Sequence, residues 1–207
     1  TLPYSTNDGT ALSLNDYAGI SGAIGFSGTN NETKTITVAV SGDSILELDE
    51  TFTVSLSTPS NPLVAFTDDE GLGTITNDDN VTLTINGATD DEGDSGNSNF
   101  QFSVLLTGEV QDGFAIDFST EDDTATQPSD YISIIGTLNF SGSNNESQIV
   151  NVSVVGETEV EFDEEFKVNL SSPSISGISF INSQAIGQII NDDLEVDVDV
   201  AIVDNTE

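Results

Sequence analysis

The sequence predicts an all-β protein made of tandem immunoglobulin-like antiparallel β-sandwiches of about seven strands each. Three observations carry this expectation. Apolar residues alternate with polar ones at a period of two and nowhere form a helical stripe. Clusters of Gly, Asn, Ser, Asp and Pro separate the alternating stretches at short intervals. The chain also matches itself without gaps at a shift of 114 residues, so one structural unit is written more than once.

The strands are read in order from the stretch 80–193. VTLTI (81–85), FQFSVLL (100–106), AIDF (115–118), GTLNF (136–140), IVNVSVV (149–155), EFKVNL (165–170) and AIGQII (185–190) are short and alternating. DEGDSGNSN (91–99) and SGSNNES (141–147) between them are turn and loop sequences. Without any Cys or Trp in the chain, the disulfide-and-tryptophan core of antibody domains is excluded.

The repeat sets the boundaries. Asp16-Tyr17 returns as Asp130-Tyr131, FSGTNNE (26–32) as FSGSNNE (140–146), ELDETF (47–52) as EFDEEF (161–166), and NDD (77–79) as NDD (191–193). Residues 1–79 and 115–193 share 33 identities in 79 positions without an insertion, which identifies a tandem duplication rather than chance similarity. Residues 80–193 then form a complete repeat, 1–79 a repeat lacking its first two strands, and 194–207 the first strand of a following repeat. No initiator Met and no signal-peptide pattern stand at residues 1–20, so the chain reads as a mature or internal piece of a longer array. The incomplete repeat should leave core and sheet edges bare. Either upstream residues cover them, or strand 194–207 of another copy does so in a strand-exchanged filament. One strand cannot replace two, which ranks upstream residues first.

Charge decides the partners. Against 37 Asp and Glu there are two basic residues, Lys34 and Lys167, and no Arg or His, for a net charge of −35. Such a chain cannot neutralise phosphates, so nucleic acid and anionic membrane surfaces are excluded as partners. No stretch approaches a membrane span, which excludes direct insertion as a helix. Self-repulsion on this scale opposes a compact state unless cations sit among the carboxylates.

The acidic residues are not spread evenly. In EFKVNL the residues Phe166, Val168 and Leu170 share one face, and the same phase turns Glu164 inward at the end of the sandwich. Phe52, Val54 and Leu56 do the same for Glu50. An inward carboxylate needs a cationic partner or a proton. Lys167 is out of phase with that face and Lys34 lies on another strand, so the cation must come from outside. Asp91-Glu92, Asp130, the Glu157–Glu161 bend and Asp192-Asp193 are further acidic loop positions, while Asp163 and Glu165 should be solvated. All-oxygen donors without His or Cys disfavour zinc, copper and iron–sulfur centres. Several converging carboxylates suit Ca2+ better than Mg2+.

The string DY, G-x-L-x-F, E-x-D-E-x-F, NDD, preceded by an EG turn and FSTEDDTAT (118–126), resembles the Calx-beta domain. That family is known from the regulatory region of sodium–calcium exchangers, from integrin beta-4 and from very large bacterial surface proteins. The resemblance implies a Calx-beta type sandwich and calcium ligands at Glu92, Asp130, Glu157, Glu161, Glu164, Asp192 and Asp193 in the complete repeat. In the incomplete one it implies Asp16, Asp43, Glu47, Glu50, Asp78 and Asp79. Gly42 and Gly156 stand where the strongest binders carry Asp, and Asn77 and Asn191 replace the first member of an Asp triplet. Fewer or weaker calcium ions are therefore expected, and an affinity of roughly 10⁻⁴–10⁻³ M, as in extracellular modules, would suffice outside a cell.

Two enzyme-like patterns are set aside. GDSG (93–96) resembles the surroundings of a serine-protease nucleophile, but a chain without His has no imidazole base for it. The Glu161/Glu164 pair resembles a glycosidase dyad, yet its recurrence in each repeat points to a structural ion site rather than an enzyme. The expected function is a calcium-binding, rigid stalk or filament segment of a secreted or cell-surface adhesin. Its partners would be neighbouring repeats, other copies in a filament and an adhesive target the sequence does not name. The alternative is a calcium-sensing regulatory module.

Overall fold

A computed structural model of the chain describes residues 1–193. The expected strand at 194–207 lies outside the described residues. The chain divides into two compact units, Thr1–Asn80 and a second beginning at Val81. Every regular element among the described residues is a strand.

The second unit is a sandwich of two five-stranded sheets. Its strands are β6 (Val81–Ile85), β7 (Ala88–Asp91), β8 (Gly96–Thr107), β10 (Phe114–Asp122), β11 (Tyr131–Ile132), β12 (Ile135–Phe140), β13 (Ser147–Gly156), β14 (Glu164–Ser171), β15 (Ile178–Asn182) and β16 (Gln184–Ile190), while the two-residue β9 (Glu109–Val110) lies outside both sheets. One sheet has the order β12-β10-β14-β16-β7, the other β11-β13-β8-β6-β15. All seven expected strands are present. Two pairings depart from a purely antiparallel arrangement: β7 lies parallel to β16, and β15 parallel to β6. The cause is local. The run 81–91 switches sheets after Ile85, where Gly87 packs so close to the Ile186 carbonyl that a Cβ would sit 2.5 Å from its oxygen. The run 178–190 switches back between Asn182 and Gln184. The first and last strands of the unit thus close an edge of both sheets.

Alternation builds the core. Phe100, Phe102, Val104 and Leu106 of β8 face Val150, Val152 and Val154 of β13 within one sheet, and Phe166, Val168 and Leu170 of β14 in the other. Phe166 is fully buried, stacked on Tyr131 with centroids 4.6 Å apart and edge-on to Phe102 at 5.7 Å. The Tyr131 hydroxyl donates to Asp122, so the polar tip of this buried ring is satisfied.

The first unit contains β1 (Leu2–Asp8), β2 (Ser21–Ile24), the two-residue β3 (Ile45–Leu46), β4 (Glu50–Leu56) and β5 (Glu70–Ile75). β2-β1-β4-β5 form one antiparallel sheet, equivalent under the 114-residue shift to β12-β10-β14-β16. Tyr17 stacks on Phe52 at 4.4 Å, repeating Tyr131 on Phe166, and its hydroxyl donates to Asp8 at 2.6 Å. The buried cluster here is small: Ala11, Tyr17 and Phe52, with Val38, Val54 and Ile75 only partly covered.

Phe166 packs against three aromatic rings on two other strands, Phe100 and Phe102 of β8 and Tyr131 of β11, so removing it leaves a cavity that no single neighbour can fill. Phe166→Ala should destabilise the second unit by about 3–5 kcal/mol, measured by urea unfolding followed through tyrosine fluorescence.

Candidate metal centre

Both units place acidic side chains at the mouth of the apolar core, and strand phase is the reason. β14 and β4 begin at Glu164 and Glu50, one alternation before the buried Phe166 and Phe52. Glu50 is 8% exposed and Glu92, just after β7, is 7% exposed. Around them carboxylates converge. Oxygens of Asp130, Glu161 and Glu164 lie within 4.8 Å of one another, as do those of Glu92, Glu157 and Asp193, and those of Asp94, Asp192 and Asp193. The first unit repeats the first of these groups with Asp16, Glu47 and Glu50.

All seven positions named from the sequence in the second unit therefore fall into three adjoining groups. In the first unit Asp16, Glu47 and Glu50 meet, whereas Asp43, Asp78 and Asp79 join no such group. Burial raises the Glu47 carboxyl, and Asp43, Asp16 and Asp79 are near enough to add to it, while Asp78 is exposed. The equivalents of Glu92 and Asp94 would stand ahead of Thr1, so the group they complete in the second unit has no counterpart among residues 1–80.

Asp94 was not anticipated. It belongs to GDSG (93–96), where both glycines adopt positive φ, +85° at Gly93 and +81° at Gly96. The turn carries Asp94 to Asp192 and Asp193, and the Gly93 N–H donates to Asp192 Oδ1 at 3.2 Å. The available signal was the Gly-Asp pair directly after Glu92.

The backbone beneath the carboxylates is clamped. Asp130 Oδ2 accepts from the Thr126 N–H at 2.6 Å, and Asp16 Oδ2 accepts from the Leu12 N–H at the same distance. Asn191 Oδ1 accepts from the Glu161 N–H at 3.3 Å, while its Nδ2 donates to the Asp193 carbonyl at 3.1 Å. Asn77 does the same for Glu47 and Asp79 at 3.1 and 3.0 Å. The Asn of NDD is thus a strut that joins the acidic bend to the terminal Asp pair, and its carbonyl oxygen is already engaged. Asp163 is exposed as expected, but its Oδ1 also accepts from the Asn191 N–H at 3.3 Å. Gly156 likewise has a packing reason: a Cβ there would sit 2.2 Å from the Gly93 carbonyl oxygen.

The electrostatics are one-sided. Burial, then Asp130, then Glu161 and Glu92, push the Glu164 carboxyl up to about 7. Burial followed by Glu157, Glu161, Asp193 and Asp192 raises Glu92 to about 7. Burial and Asp16, with Glu47, do the same to Glu50, also to about 7. Burial and neighbouring carboxylates also raise Glu161 and Asp193. Neither lysine helps, since Lys167 pairs with Asp123 at 2.9 Å and Lys34 with Glu32 at 3.0 Å. Buried oxygens of Glu50, Glu157 and Asp193 have no hydrogen-bond partner among the described residues. Clustered, unpaired and desolvated carboxylate oxygens fit a hard cation of high coordination number.

Asn191→Ala removes both arms of the strut at once. It should destabilise the second unit by about 1–3 kcal/mol, read from calorimetric melting in chelator, because it unfastens the 157–161 bend from the 191–193 tail.

Comparison with known proteins agrees with this architecture. The Calx-beta domain family matches twice, over residues 1–80 and 76–193. A curated relative, the sodium/calcium exchanger Calx of Drosophila melanogaster, is 28% identical over 186 residues, covering 85% of this chain. The chain spans only 18% of that relative's length. Among solved structures, the apo-form Calx CBD1 domain aligns with a TM-score of 0.50 at 22% identity, over 56% of this chain and 100% of that one. The calcium binding domain CBD12 of CALX1.1 aligns with a TM-score of 0.43 at 21% identity, over 91% of this chain and 86% of that one. Two tandem matches that together span residues 1–193 establish that the chain belongs to the Calx-beta domain family.

Proposed function

We propose that the chain is a calcium-binding regulatory module whose acidic sandwich ends take up Ca2+ and stiffen on doing so. One observation carries the reading: carboxylates converge at the mouth of the core with buried, unpartnered oxygens and no base beside them. Asp130, Glu161 and Glu164 would hold one ion, and Glu92, Glu157, Asp192 and Asp193, joined by Asp94, would hold the ion or ions next to it. Asp16, Glu47 and Glu50 would form the reduced site of the first unit, with Asp43 and Asp79 close by and Asp78 at its solvent side. The ion supplies positive charge that the chain lacks. The protein's contribution is to fix the bend 157–161 and the tail 191–193 through Asn191, so that the carboxylates are already gathered.

Family membership and the similarity to a protein named a sodium/calcium exchanger support sensing over a purely mechanical role. A stalk of a cell-surface adhesin, with an adhesive target and an extracellular location, draws support only from the tandem organisation. No catalytic step enters the proposal, because the same acidic group recurs in both units of a chain without His or Cys. Affinity separates the two readings. A dissociation constant of about 10⁻⁷–10⁻⁵ M with a change in small-angle scattering favours a sensor, and one of about 10⁻⁴–10⁻³ M favours an extracellular spacer.

Calcium should raise the melting temperature of the chelator-treated protein, with a gain of about 2.7 kcal/mol per ion at 100 times the dissociation constant. Magnesium should give a smaller gain. A calorimetric titration without heat, together with unchanged melting, would overturn the proposal.

The metal-free protein should also lose stability as pH rises. Glu50, Glu92 and Glu164 have folded-state values near 7, above their ordinary 4.5, so the folded state binds more protons between those limits. Their stabilising contribution is complete below about 4.5 and is lost as pH climbs through 7. Melting curves in chelator at pH 5.5 and pH 8 should show the lower midpoint at pH 8, and saturating calcium should abolish the difference.

Glu164→Gln separates repulsion from binding. In chelator at pH 8 it should raise the midpoint of the second unit, by about 4–8 °C for each kcal/mol of repulsion relieved. With calcium present the same variant should fall below the unaltered protein.

A further inference from the structure

The two sheets of the second unit are equal in size but not in charge. Each contains 34 residues in its five strands. The sheet β12-β10-β14-β16-β7 carries eight charged residues, seven of them acidic. The sheet β11-β13-β8-β6-β15 carries none. Core packing explains only its inner side, where Phe100, Phe102, Val150 and Val152 are buried. The outer side alternates with these residues and faces away from the core, where charge costs little and a chain of net charge −35 would place it.

That outer side is a ladder of amides among aliphatic side chains. Asn97 Nδ2 donates to Ser153 Oγ at 2.8 Å, and Asn99 Nδ2 and Gln101 Nε2 both donate to Asn151 Oδ1, at 3.0 and 3.3 Å. These bonds run between β8 and β13 and hold the amides in place. They leave the amide oxygens of Asn97, Asn99 and Gln101 and the Nδ2 of Asn151 with no partner among the described residues. Ile149 on β13 is 44% exposed beside the ladder, and Ile132 and Ile181 are exposed on the two edge strands. The face offers fixed acceptors, a fixed donor and apolar contact, without charge.

We propose that the outer side of the β11-β13-β8-β6-β15 sheet is a self-association surface, on which a second copy of this chain docks the same face in a two-fold dimer. Charge selects the occupant. A cationic partner gains nothing here and is drawn to the acidic sheet or the acidic ends instead. A neutral saccharide fits poorly, since ligand sites are concave and lined by aromatic rings. Phe100, Phe102 and Tyr131 of this sheet all lie in the core. A second copy brings the same uncharged face, and turning it over sets donors against acceptors. At about 3.3 Å per residue and about 4.8 Å between strands, 34 residues cover about 540 Å² on each copy, so the pair buries about 1,100 Å² and clears the about 1,000 Å² that a specific interface needs. With sheets stacked about 10 Å apart, the acidic sheets of the two copies stand about 30 Å from one another, beyond the Debye length of about 8 Å at physiological salt. Asp94 and Glu157 bound the neutral strip at one end and Glu109 and Glu146 at the other, so a copy displaced along the strands would bury an unpaired carboxylate. The docking uses no group of the metal centre and holds whether or not the acidic ends bind calcium.

Sedimentation velocity on the 207-residue chain in chelator tests this. A dimer should form with rising concentration, and it should tighten as salt increases from about 0.01 M to about 0.15 M, because the Debye length falls from about 30 Å to about 8 Å. A dimer held by ion pairs would weaken over the same range. Asn151→Asp keeps the acceptor for Asn99 and Gln101 but puts a charge into each half of the interface, and it should weaken dimerisation about 30-fold or more. Asn139→Asp adds the same charge to β12 of the other sheet, where the flanking Leu138 and Phe140 are buried, and should change dimerisation less than about 3-fold. Should Asn151→Asp disturb the fold, the unaltered chain still reports, since the side-chain amide resonances of Asn97, Asn99, Gln101 and Asn151 should shift with concentration. A chain that stays monomeric up to about 1 mM would overturn the proposal. So would a dimer that weakens with salt, or one that Asn139→Asp weakens as much as Asn151→Asp. Dextran binding by the monomer, abolished by Asn151→Asp, would also overturn it and assign the face to a neutral saccharide.

Discussion

Like charges gathered at the mouth of a hydrocarbon core are the constraint on which the rest of this structure depends. Glu164 and Glu50 face inward because Phe166 and Phe52 do, and the alternation of a strand allows no other choice. Each then meets an Asp held by a backbone N–H four residues earlier and a Glu from the preceding bend. The fold spends its hydrogen bonds on the backbone beneath these groups and leaves buried oxygens of Glu50, Glu157 and Asp193 without a partner among the described residues. Asn191 and Asn77 show this division of labour, since one amide side chain holds the acidic bend and the terminal Asp pair together. Preorganised oxygens whose mutual repulsion is relieved only from outside couple the order of this end of the domain to a cation.

The two units show how far sequence can act without partners. Their sequences agree at 33 of 79 aligned positions, yet TITVAV (35–40) is irregular where IVNVSV (149–154) is a central strand. Alternation alone does not make a strand. The hydrogen bonds and the opposing Phe and Val side chains of β8 convert one copy and not the other. By contrast β4 and β14 form equally well, because each has two neighbours within its own unit.

Much of the fold was legible in the sequence. Period-two alternation located seven strands, and its phase placed Glu164 and Glu50 at the core mouth. The parallel strands β7 and β15 were not legible. Each is a four- or five-residue continuation of a run that changes sheets, and the change is marked only by the close approach at Gly87 and the break at Ser183. Asp94 was hidden because GDSG suggested a different chemistry, and the two left-handed glycines that aim it are visible only as backbone angles. The role of Asn191 escaped because its partners, Glu161 and Asp163, lie about 30 residues away in sequence and meet it only once β14 and β16 have paired. Phe162, flanked by Glu161 and Asp163, is 93% exposed, a side that alternation through so acidic a stretch does not fix.

The sheet switches at Gly87 and Ser183 have a mechanical side. The chain enters the second unit through β6 and β7 and leaves its last sheet through β15 and β16, and these run parallel in both sheets. Tension applied through the two ends of the unit would therefore slide the terminal strands along one another. Every interstrand bond on those edges shares the load at once, where an antiparallel terminal hairpin would unzip bond by bond.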